Sequence, residues 1–163
     1  MIINRQRRVR LDVKSLEEFL GRVQRGLRLS KRGVTVCLVS DAAMARMNRA
    51  FRHKRGPTDV LSFPAEGKQR SAMFPGAENG NRARVSSSTS FISFTFPASY
   101  LGDIAISPET AQRNARRFAR TLPQELRVLI LHGMLHLAGH DHETDHGEMD
   151  RLEQKLRRRL GLS

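Results

Sequence analysis

TLPQELRVLILHGMLHLAGHDH, Thr121 to His142, is the stretch on which the fold and the chemistry of this chain both turn. Thr121-Leu122-Pro123-Gln124 is a capping box, which marks a helix start. Glu125 to Ala138 is apolar nearly all round, so the sequence predicts a central helix buried on every side. Gly139 predicts its end, because glycine enters the left-handed region without a Cβ penalty and lets the chain double back. His132 and His136, four apart, then share one helical face a turn apart. His142, six residues beyond His136, is carried round by the turn as the candidate third partner. His140 and His146 read as bystanders, and Asp141 as a turn residue or a group that orients an imidazole.

Three imidazoles without a thiolate make a catalytic type of zinc site, with the fourth position open. Zinc is the first choice, although nickel, copper or iron also accept such ligands. The spacing is that of the metzincin pattern H-E-x-x-H-x-x-G-x-x-H with one departure. Gly133 stands where a peptidase carries its glutamate base, so the ion site is kept while the usual machinery of peptide hydrolysis is absent.

The rest of the chain supplies a sheet for that helix. Residues 3–12 alternate loosely as a strand, and Ser15-Leu16-Glu17-Glu18 reads as a capping box for a helix bearing Leu16, Phe19, Leu20 and Val23. Val34 to Val39 is a buried strand, and Ser40 or Asp41 caps a helix with Met44 and Met47. Asp59 to Phe63 and Leu101 to Ser107 are two further strands. Ser107-Pro108-Glu109 opens a helix that places Ala111, Ala115 and Phe118 on one side. Thr144 or Asp145 opens the last helix, with Met149, Leu152, Leu156 and Leu160 as its core stripe. The expected class is α+β: one domain over residues 1–163, a mixed sheet of about four strands and about five helices. Glu66 to Ser99, rich in Ser, Gly, Asn and Arg, is an insertion read as a flap or as a hairpin around Phe91 to Phe96.

Composition narrows the class of partner. The net charge is +13, and only five of 29 basic residues are lysine. Such a surface attracts polyanions through counterion release. A single cysteine, Cys37, excludes an internal disulfide and a thiolate zinc cage. No apolar run reaches the roughly 18 residues of a membrane span, and no secretory leader is visible at the N-terminus; the expectation is a cytoplasmic protein.

HGMLHLAGHDH resembles the signature of the YbeY family of bacterial endoribonucleases and rRNA maturation factors. MNRAFRHKRGPTDVLSFP, Met47 to Pro64, resembles a second family pattern, and LGDI, Leu101 to Ile104, a third. The resemblance implies one zinc ion on His132, His136 and His142, and cleavage of single-stranded RNA. It places the work on rRNA, notably the 3′ end of 16S rRNA, and on ribosomal particles, with neither DNA nor membrane as partner. It puts Arg52 near the metal as a catalytic group, and Glu66 to Ser99 is longer than the family usually carries. Arg52, Lys54 and Arg55 precede a strand edge and form a candidate grip on phosphates, since a guanidinium binds two phosphate oxygens at once. Either water or the RNA 2′-hydroxyl can serve as nucleophile. Competing readings are a non-catalytic ribosome-assembly factor with a structural ion, a metallopeptidase, and a hydrolase of small anions.

Overall fold

The computed structural model describes residues 1–65, 99–140 and 146–162. Four strands form one mixed sheet in the order β1-β2-β4-β3: β1 (Ile2–Asn4), β2 (Gly33–Leu38), β3 (Val60–Pro64) and β4 (Tyr100–Ile106). β1 and β4 run parallel to β2, and β3 runs antiparallel to β4 as an edge strand. Five helices accompany them: α1 (Val13–Gly26), α2 (Asp41–Arg52), α3 (Pro108–Arg117), α4 (Leu122–Leu137) and α5 (Glu148–Leu160). The expected α+β class holds. Among the described residues no helix is long and apolar enough to cross a membrane.

Alternation along the strands divides the interior in two. Val34, Val36, Leu38, Ile104 and Ile106 face α1, α4 and α5, in a core that includes Phe19, Leu20, Leu131, Met134 and Met149. Cys37, Val39, Leu61, Phe63 and Ala105 face the other way and pack with Met44 of α2. α4 is buried along most of its length, from Glu125 to Leu137, as its apolar run predicts.

Three boundaries differ from the sequence reading. β1 stops at Asn4 because the buried Gln6 side chain pins a turn: its amide donates to Asn4 Oδ1 (3.1 Å) and to the Val9 carbonyl (2.9 Å), and its oxygen accepts from Val9 N–H (2.9 Å). α1 is capped by Asp12, whose Oδ1 accepts from Ser15 N–H at 3.1 Å, so the earlier acid takes the role expected of Ser15. α5 starts at Glu148 behind Gly147, a left-handed residue with no side-chain cap; Thr144 and Asp145 lie outside the described residues. The hairpin expected around Phe91 to Phe96 also lies outside them.

α2 and α3 lock each other's first turns. The Glu109 carboxylate accepts from Asp41 N–H at 2.7 Å. Asp41 in turn accepts from Ser107 Oγ (2.5 Å), Thr110 Oγ1 (2.7 Å) and Arg113 Nη2 (2.7 Å). Partial burial would raise the Asp41 pKa, but these donors and the Arg113 charge outweigh it and hold the carboxyl below the usual range. A lowered folded-state pKa means the stabilisation is complete above the unfolded value and is lost as pH falls below about 4. Asp41→Ala is expected to cost about 1–3 kcal/mol at neutral pH. In urea titrations that difference from the native chain should shrink as pH falls from 5 towards 2; a constant difference would remove the carboxylate from the account.

Candidate active site

α4 ends where Gly139 requires it to. Gly139 has φ 91°. Its N–H donates to the His136 carbonyl (3.0 Å), and His140 N–H reaches back to the Leu135 carbonyl (3.1 Å). These two bonds are the Schellman closure, and they turn the chain out of the helix axis. His132 and His136 therefore occupy the final turns of α4, with their Nε2 atoms 3.2 Å apart. Two nitrogens each about 2.0–2.1 Å from one tetrahedral ion stand about 3.3 Å apart, so this pair has the spacing of two ligands to one zinc.

The far side of His132 is fixed as well. Its Nδ1 lies 3.0 Å from Oε2 of Glu153, a carboxylate only 6% exposed on α5. Arg157 Nη2 donates to the other Glu153 oxygen at 2.5 Å. Burial pushes the Glu153 pKa up, but the His132 hydrogen bond and the Arg157 charge more than reverse it, so the carboxyl stays ionised below the usual range. An ionised acceptor at Nδ1 holds the proton there and leaves the Nε2 lone pair for an ion. Sequence reading did not single out Glu153. Its signal was present: an acid four residues after Met149 and three before Leu156, on the apolar stripe of α5.

Arg52 approaches from the other face of the sheet. It is the last residue of α2, beyond which His53 turns left-handed at φ 55°. Buried Asn48 donates its amide to the Gly56 carbonyl at 2.9 Å and fastens the following turn. Arg52, Lys54, Asp59, Ser62, His132 and His136 line one cleft of about 510 Å³ along the edge strand β3. His140, read from sequence as a bystander, also lines this cleft, and His146 is exposed. Arg55 is elsewhere, in a separate hollow with Arg46 and Arg49. His142 and Asp141 lie outside the described residues, and among those described no three His, Cys, Asp or Glu residues form a metal-holding group.

Gly133 has a packing reason. A Cβ there would stand 2.9 Å from Cγ2 and 3.0 Å from Cδ1 of Ile104 on β4. Position 133 thus faces the sheet, whereas His132 and His136 line the cleft.

The family model for endoribonuclease YbeY matches residues 1–161. The chain belongs to the YbeY endoribonuclease family. It is 42% identical over 125 residues to endoribonuclease YbeY of Solibacter usitatus, an alignment covering 77% of this chain and 64%, under two thirds, of that protein's length. It is 38% identical over 162 residues to endoribonuclease YbeY of Koribacter versatilis, covering 99% of this chain and 86% of the relative. A Thermotoga maritima protein solved in solution shares the fold at 27% identity and a TM-score of 0.58, covering 98% of this chain and 89% of the other. Membership places this chain in a family of endoribonucleases, proteins that cleave RNA phosphodiester bonds.

The carboxylate behind His132 carries its own test in this YbeY-family chain. Glu153→Gln is expected to weaken any divalent-metal binding at His132 about 10- to 100-fold, since loss of an outer hydrogen-bond partner has that typical effect. Competition against a chromophoric chelator reads it. An unchanged affinity in a folded variant would show that Glu153 does not hold the ring.

Proposed function

We propose that this chain is a zinc-dependent endoribonuclease that cleaves single-stranded RNA, acting on ribosomal RNA and notably on the 3′ end of 16S rRNA in the maturation and quality control of ribosomal particles. The observation that carries the reading is the His132–His136 nitrogen pair, 3.2 Å apart, in the same cleft as Arg52. The all-imidazole donor set suits a catalytic zinc, and in this reading His142 completes it.

A bound zinc supplies Lewis acidity to a phosphoryl oxygen or to the attacking group. The chain's own residues do the rest. The Arg52 guanidinium takes two non-bridging oxygens of the scissile phosphate, and its charge counts most as negative charge builds on them in the transition state. Lys54, a single ammonium on a flexible stem, neutralises a neighbouring phosphate at the cleft wall. Glu153 holds the His132 ring so that Nε2 faces the cleft. The +13 net charge draws the polyanion in, which makes binding steeply dependent on salt.

Metal removal tests the reading. Native protein should contain one equivalent of zinc by elemental analysis and should cleave single-stranded but not duplex RNA. Chelation should abolish cleavage and leave the circular dichroism spectrum of a folded chain; zinc should restore it. A metal-free chain that cleaves equally well, or one that unfolds on chelation, would overturn the catalytic assignment, the second result making the ion structural.

A further inference from the structure

Phe118 does not join Ala111 and Ala115 in the core, as helical spacing predicts. Those two alanines are buried, but Phe118 is 52% exposed. α3 stops at Arg117, and Ala119 sits at φ 51°, a strained conformation for a residue with a Cβ. Arg120 N–H closes that turn on the Ala115 carbonyl at 2.8 Å. The turn presents the ring outward near two guanidiniums, Arg117 at 5.8 Å and Arg120 at 5.4 Å from the ring centre.

The ring borders a second hollow, of about 370 Å³, whose apolar walls are Phe118, Val60, Val128 and Leu129. It shares Asp59, Val60 and His132 with the cleft, so the two are contiguous. Its charged groups are paired or hydrogen-bonded in place. Arg120 pairs with Glu125 at 2.9 Å, Arg157 with Glu153, and Asp59 accepts from the Asn114 amide at 2.9 Å. A hollow whose cations are already paired with carboxylates does not select phosphate. Apolar walls, an aromatic face and a few fixed hydrogen-bonding groups select a flat, uncharged heterocycle.

We propose that this hollow is a nucleobase subsite, which takes one unpaired base of the RNA strand onto the Phe118 ring while the adjacent phosphate lies against Arg52. The inference rests on the RNA-cleaving reading of the cleft and deepens it. A base can enter only if it is unstacked, so the subsite contributes to the preference for single strands. Arg117, exposed beside the ring, meets the backbone of the same nucleotide.

The test measures binding separately from cleavage. Dissociation constants are taken for a single-stranded RNA 12-mer and for a series carrying one abasic ribose at each position, with the native holoenzyme and with Phe118→Ala and Phe118→Trp. Alanine should weaken binding of the intact strand about 5- to 150-fold, the range for loss of one base–aromatic stack, and tryptophan should retain it. One abasic position should weaken native binding by a similar factor, and on that strand the alanine variant should lose nothing further. Zinc content and melting temperature should match the native values in both variants. Equal affinity of native and alanine proteins for the intact strand, or the same alanine loss at every abasic position, would overturn the subsite; so would failure of the native protein to bind the strand. If the native protein binds RNA but never cleaves it, the nuclease reading fails, and the subsite is still decided by the binding constants.

Discussion

Arg52→Ala is expected to lower RNA cleavage by about 10²–10³-fold, the cost typical of removing one preorganised donor to transition-state charge. The residue is held by the fold rather than by a mobile loop: α2 ends on it, Met44 anchors α2 against the sheet, and buried Asn48 fastens the turn that follows. Arg52 ends a helix packed on the smaller core, and the histidine pair is carried by α4 on the larger one, so zinc content and melting temperature are expected to stay close to native. Arg52→Lys should recover little, because an ammonium keeps the charge and loses the two-pronged grip. Single-turnover cleavage of a single-stranded oligonucleotide, with metal content measured on the same preparation, decides the matter. A metal-loaded alanine variant that cleaves at the native rate would remove Arg52 from the chemistry.

The largest stability effect is expected at Gly133. Gly133→Glu, which would rebuild the peptidase pattern, should cost more than about 4 kcal/mol and leave little folded protein, because it drives a carboxylate-bearing side chain into Ile104 at a buried position. Gly133→Ala is the graded version. The methyl meets Cγ2 and Cδ1 of Ile104 at 2.9 and 3.0 Å, an overpacking of about 1–3 kcal/mol, partly offset by about 1 kcal/mol of helix propensity. Ile104→Val, which removes Cδ1, should recover part of that loss. Urea unfolding of the three variants reads these values. A stable, folded Gly133→Glu chain would contradict the packing, and a native chain that digests casein would revive the peptidase reading against which Gly133 weighs.

The parts of this fold legible in sequence are those decided within a few residues. Thr121 caps α4 with Gln124 in a reciprocal box, Gly139 ends it in a left-handed turn, and Ser40 and Ser107 cap α2 and α3. What could not be read depends on residues far apart. Glu153 acquires its role because α5 returns beside α4, twenty-one residues after His132. Asp12 and Ser15 compete for one helix start, and nothing local ranks them. Helical period put Phe118 on the buried side, but α3 ends one residue too soon. Arg55, next to Lys54, faces a different hollow because the turn after His53 separates the two side chains. Arg157, in the last turn of α5, secures the carboxylate behind His132, a contact that only the return of α5 beside α4 creates.

The division of the interior by the sheet has a consequence for how the enzyme can fail. The imidazoles stand on the larger core and the guanidinium on the smaller one, with only the outermost strand between them. On the proposed function, holding an ion and gripping a phosphate are therefore mechanically separable. Damage confined to Met44 or Phe63 should yield a protein that is fully metallated, folded and slow, its two halves intact and out of alignment.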